Sequence, residues 1–130
     1  MPEASPTGGP LLLPQPVWRL ALWLCLAAIL LLALMGKPPR ALNTGWDKSN
    51  HALAFAVLAF IALNAYRQQV VLALAGLLTY GGMIELLQSL TPKRSGEWGD
   101  LLADAVGLAL GYGLAMAAAR VARPQQQLTP

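Results

Sequence analysis

The chain has 130 residues, 56% of them hydrophobic and 12% charged, against roughly 25% charged residues in an average soluble domain. Its nine Lys and Arg and six Asp and Glu leave a formal charge of +3, with no basic run interleaved with aromatics of the kind nucleic acid requires. This balance excludes nucleic-acid binding and predicts one integral membrane domain, all-α, whose helices bury their polar groups against one another.

Residues 1–16 hold five prolines and two glycines, which predicts a disordered lead without regular structure. The first apolar run, Val17 to Met35, interrupted only by Arg19 near its start, is long enough to span a hydrocarbon core of roughly 30 Å. Arg19 can snorkel to the headgroups, and Gly36 followed by Lys37-Pro38-Pro39 ends the helix. No small-residue cleavage pattern follows, so the run reads as an uncleaved anchor rather than a signal-peptide core. The lone Cys25 lies inside it and packs as a small hydrophobe.

A helix-start signal stands at Asp47, Ser49 or Asn50, and an apolar run follows from about His51 to Tyr66. This second run is short for a full span unless its first turn sits in the interface. Arg67-Gln68-Gln69 then turns the chain back into Val70 to Leu90, which predicts antiparallel neighbours. Gly76, Gly81 and Gly82 in the third run favour close helix approach. Thr91-Pro92 ends it, and Asp100 is the expected cap of a fourth helix from Leu101 to about Ala119. There Gly107 and Gly111, with Ala103 and Ala115, form a smooth face suited to packing inside the monomer, although the same spacing permits a homodimer. Residues 120–130 are expected to be a disordered tail, so residues 17–119 make up the membrane domain, a four-helix transmembrane bundle. Trp46 and Trp98 at one face and Trp18 and Trp23 at the other are expected interface anchors. Asn64 reads as an interfacial cap, Tyr80 and Tyr112 as packing residues, and Ser49 and Ser95 lack a nucleophile motif.

Four spans put both termini on one side. Arg19, Arg67, Arg120 and Arg123 lie on that side, and Lys37, Arg40, Lys48, Lys93 and Arg94 on the other. Setting Lys48 and Arg94 aside for a site tips the positive-inside balance toward cytoplasmic termini in a multi-pass protein of the cell membrane.

The polar residues gather at the opposite end. Asp47 and His51, Glu85 and Gln88, and Asp100 and Asp104 are pairs at helical spacing, so each pair shares a face of its own helix. Ionisable groups at membrane depth are costly and mark a site by default.

The pattern resembles the VanZ-like family of small bacterial membrane proteins. The resemblance covers about residues 47–113 and rests on DKSNHALAFAVLAF, on ELLQ at Glu85 to Gln88, and on an Arg before an Asp-x-x-x-Asn-x-x-Gly-x-x-x-Gly motif. This chain departs from it in carrying Asp104 where the motif has Asn. The resemblance implies a family named for low-level resistance to the glycopeptide teicoplanin, an antibiotic-resistance trait that need not be the native role.

Several roles fit these residues. In the first, Lys48 and Arg94 bind an anionic headgroup or phosphate, with Gln88 and Asp104 as further ligand-binding groups. His51 and Glu85 handle protons, with Asp47 and Asp100 as additional catalytic candidates. This suits a cell-envelope function on a membrane lipid or lipid-linked cell-wall precursor. In the second, His51, Glu85, Asp100 and Asp104 hold zinc, manganese or magnesium. The third is a proton or ion relay. The contrasting reading is a structural or accessory protein in which Glu85 locks three helices through His51, Lys48 or Arg94.

Overall fold

The computed structural model describes residues 13–34, 47–90 and 98–127, the side chains of Asp47, Lys48 and residues 122–127 excepted. Four helices follow one another: α1 (Gln15–Leu34), α2 (Asp47–Ala65), α3 (Val70–Ser89) and α4 (Trp98–Gln127). Among the described residues there is no strand. Most of the expected lead, and the last three residues of the expected tail, lie outside the described residues.

Local chemistry sets the helix ends. The Pro14 carbonyl accepts the amides of Val17 and Trp18 at 3.0 and 3.4 Å, and Pro16 sits in the first turn, where a missing N–H costs nothing. The α2–α3 link is as tight as Arg67-Gln68-Gln69 predicts. The Gln69 amide donates to the Tyr66 carbonyl at 3.1 Å, and the Gln69 carbonyl accepts from Ala73 at 2.8 Å, so α3 starts at once.

The centre of the bundle is α2. Phe55, Leu58, Ala59, Ala62 and Ala65 are each at most 1% exposed, and the broadest interface of α2 is with α4 rather than with α3, its neighbour in sequence. Small residues explain the choice. A side chain on Gly107 would run into the Ala52 carbonyl, and one on Gly111 into the Ala56 carbonyl and the Ala59 methyl. The smooth face of α4 therefore packs inside the monomer. Of the three glycines on α3, only Gly81 serves a close approach, because Gly76 and Gly82 have nothing within 4 Å of a would-be methyl.

α1, α3 and the Trp98–Val121 part of α4 are long and apolar enough to cross a membrane, whereas the apolar part of α2, Ser49–Ala65, is shorter. The outer surface carries Leu20, Leu24, Leu31, Val71, Leu72, Leu102 and Leu110, all more than half exposed. A surface this apolar requires lipid around it.

Four expectations are revised. α4 begins at Trp98, so Asp100 is a buried first-turn residue and not the cap; its charge still complements the positive end of the helix dipole. α4 also runs on beyond Ala119 to Gln127, carried by the helix-favouring stretch Ala117-Ala118-Ala119-Arg120. Trp18 is core, 8% exposed with its ring edge-on to Phe60 at 6.0 Å, while Trp23 and Trp98 remain exposed. Asn64 is buried and donates to the Phe60 carbonyl one turn back at 2.8 Å, which satisfies it within its own helix.

Candidate functional site

The antiparallel order brings the start of α2, the end of α3 and the start of α4 to one end of the bundle, and their polar residues meet there. His51 and Glu85 each lie about 6 Å, and Asp104 about 9 Å, inward from the nearest helix terminus at the usual rise of an α-helix. The cluster thus lies one to two helical turns inside one end of the bundle.

His51 is the hub. Its Nδ1 lies 2.8 Å from Asp104 Oδ1 and 3.9 Å from Glu85 Oε1, and its Nε2 lies 3.7 Å from Asp100 Oδ2. Opposite an ionised Asp104, which could only accept, the ring would carry its hydrogen on Nδ1. The three acids are buried, Asp104 completely, whereas His51 is partly accessible. Burying charge in this way is tolerated only with opposite charge or donors close by. Asp104 Oδ2 is fully buried and has no hydrogen-bond partner among the described residues. It faces α3 at Gly81, where an added methyl would stand 2.6 Å away, one helical turn from Glu85. A side chain at position 81 would therefore displace Asp104.

One donor atom each from His51, Glu85 and Asp104 fall within 4.8 Å of one another, an arrangement that could hold a metal ion. Cationic side chains described here, Arg19, Arg67 and Arg120, belong by their positions to the other end. Arg19 donates to the Ala65 carbonyl at 3.2 Å and lies 4.7 Å above the Tyr66 ring, sealing the end of α2.

The residues singled out in the sequence divide accordingly. His51, Glu85, Asp100 and Asp104 come together. Gln88 stands apart from them functionally, because its amide donates to the Ala33 carbonyl of α1 at 2.9 Å and fastens that helix to α3. Tyr80 makes a second such tie, its hydroxyl donating to the Leu26 carbonyl while its ring rests against Phe55. Asp47 and Lys48 form the first turn of α2, their side chains outside the description, and Arg94 lies outside the described residues. Sequence reasoning missed the close approach of Gly81 to Asp104. The available signal was a glycine four residues before Glu85, on the same face of α3.

An apolar groove of about 500 Å³, lined by Leu22, Leu26, Tyr66, Leu77 and Tyr80, opens between α1, α2 and α3. It includes none of the four acid–imidazole residues.

These features define a multi-pass α-helical membrane protein with a histidine–carboxylate cluster near one end of the bundle. Within that class, the chain belongs to the VanZ/LLP1 family, whose family model matches residues 13–120. No curated protein and no solved structure matches it.

Proposed function

We propose that this protein acts in the cell envelope on an anionic lipid or lipid-linked cell-wall precursor. In this reading His51, Glu85 and Asp104 form an acid–base centre, Asp100 orients the imidazole, and Asp47, Lys48 and Arg94 complete the site toward the headgroup. The observation that carries the reading is the convergence of one imidazole and three buried carboxylates from three helices.

A purely structural lock accounts poorly for that set. Interhelical polar contacts in membranes are worth only about 1 kcal/mol, and well-packed apolar residues in place of a buried ion pair are often as stable or more so. The ties made by Gln88 and Tyr80 illustrate what structural polar contacts in this bundle are like: a neutral donor meets one backbone carbonyl. The His51 cluster instead concentrates ionisable groups, and it leaves Asp104 Oδ2 without a hydrogen-bond partner among the described residues. The position suits a substrate whose headgroup lies in the interface while its chain remains in lipid. Teicoplanin resistance would be one outcome of such a role.

Native mass spectrometry of the gently extracted protein tests this reading. Wild type should retain a specific phospholipid or lipid-linked precursor, and folded Glu85→Gln and His51→Ala should lose it. Equal retention by these variants, or none by wild type, would reject the reading. Loss of insertion in the isosteric Glu85→Gln would favour the structural lock.

A further inference from the structure

We infer that the cluster binds one divalent transition-metal ion, of the zinc or manganese class, through His51 Nδ1, Glu85 and Asp104, with Asp100 as the outer carboxylate. The inference deepens the proposed envelope role at this same site and rests on it, with His51, Glu85 and Asp104 acting as ligands rather than as the acid–base groups themselves.

Three observations support it independently. The first is spacing. Ligand atoms around a cation at bond lengths of about 2.1 Å stand about 3.0–3.4 Å apart in octahedral or tetrahedral order. The distances from His51 Nδ1 to Asp104 Oδ1 and Glu85 Oε1, 2.8 and 3.9 Å, straddle that range. An ion would take the place of the hydrogen on Nδ1, and the three donor atoms, all within 4.8 Å of one another, would draw in to close on it.

The second is the other ring nitrogen. A metal-ligating histidine nearly always donates its remaining N–H to a carboxylate, carbonyl or water, which fixes the ring and raises its basicity. His51 Nε2 faces Asp100 Oδ2 at 3.7 Å, so each nitrogen has its own carboxylate partner on a different side of the ring. Asp100 therefore has a task as an orienting group that does not touch the ion.

The third is Asp104 Oδ2. It belongs to a side chain that is 0% exposed, it has no hydrogen-bond partner among the described residues, and it packs closely against α3 at Gly81. A carboxylate oxygen kept from water needs a donor or a cation.

The donor chemistry selects the class of metal. Imidazole with carboxylates suits zinc or manganese, whereas calcium and magnesium favour all-oxygen sets and thiolate-loving metals find no cysteine here.

The test is metal titration of the full chain in detergent or nanodiscs after chelator treatment, read by elemental stoichiometry and by the visible spectrum of cobalt(II) as a probe. Wild type should bind close to one zinc or manganese per chain, and cobalt should give the absorption of a nitrogen- and oxygen-ligated ion. His51→Ala and Asp104→Asn should lose that stoichiometric binding, Asp100→Asn should keep it with about 10–100-fold weaker affinity, and Leu102→Ala on the exposed surface should match wild type. No stoichiometric ion in folded wild type, or unchanged affinity in folded His51→Ala, would overturn the inference. Because the cobalt spectrum is read on wild type, a variant that fails to fold does not leave the question open. A wild-type protein that retains lipid but binds no ion defeats the metal site and leaves the substrate reading standing; an ion bound without lipid does the reverse.

Discussion

Asp104 puts a carboxylate where the resembling motif carries asparagine, and its Oδ1 lies 2.8 Å from His51 Nδ1 while Oδ2 is buried against Gly81. An asparagine could make the first contact through its own carbonyl oxygen but would remove the charge. Asp104→Asn should therefore keep thermal stability within about 1 kcal/mol, the net worth of an ordinary hydrogen bond, while abolishing metal retention. Comparing the melting transition with bound metal on the same sample checks both halves. Gly81 is the reciprocal control. A methyl 2.6 Å from Asp104 Oδ2 and 3.2 Å from the Phe55 ring must push something aside, and overpacking of this kind costs about 1–3 kcal/mol. Gly81→Ala should lower the melting temperature and weaken ligand retention together, although position 81 offers no ligand atom.

Helix α4 depends on two of its glycines, and α3 on one. Gly107→Ala should part α2 from α4, because the new methyl would meet the Ala52 carbonyl and stand 3.0 Å from its Cα. The expected loss is again about 1–3 kcal/mol, measurable by thermal or steric-trapping unfolding. Gly76→Ala has open space around it and should be neutral or stabilising by up to about 1 kcal/mol, since alanine is the better helix former. If both substitutions behave alike, the assigned α2–α4 interface is wrong. Gln88→Leu should remove only the tie to Ala33, at about 1 kcal/mol or less, and leave retained lipid and metal as in wild type.

Across the whole molecule, α2 is the most enclosed helix, with Leu53 and Val57 its exposed residues among those described. This explains how a helix with a short apolar stretch, Ser49–Ala65, can carry His51 at its start: protein rather than lipid surrounds most of its length. Antiparallel order puts the start of α1, the α2–α3 turn and the end of α4 at one face, with the His51 cluster at the other. We expect the termini to be cytoplasmic. An impermeant maleimide applied to intact cells, with a cysteine placed in the C-terminal segment of a Cys25→Ser background, should therefore fail to label until the cells are opened. Labelling of intact cells would put the cluster on the cytoplasmic side.

Helix number, helix type and the end at which the polar residues gather were legible in the chain because each follows from local patterns. Apolar runs of about membrane length allow only helices, and helical spacing assigns Asp47 and His51, Glu85 and Gln88, and Asp100 and Asp104 to shared faces. The VanZ/LLP1 membership was legible for the same reason, its motifs being short and local. Partner choice was not local. Whether Gln88 or Asp104 would meet His51 depended on how the helices are rotated about their axes, and Gly81, Gly107 and Gly111 set that rotation by where they let backbones approach. The burial of Trp18 and the enclosure of α2 likewise depend on which apolar faces find protein and which find lipid. Composition cannot separate these cases, because a leucine facing lipid and a leucine in the core satisfy the same hydropathy. Only the packed bundle decided them.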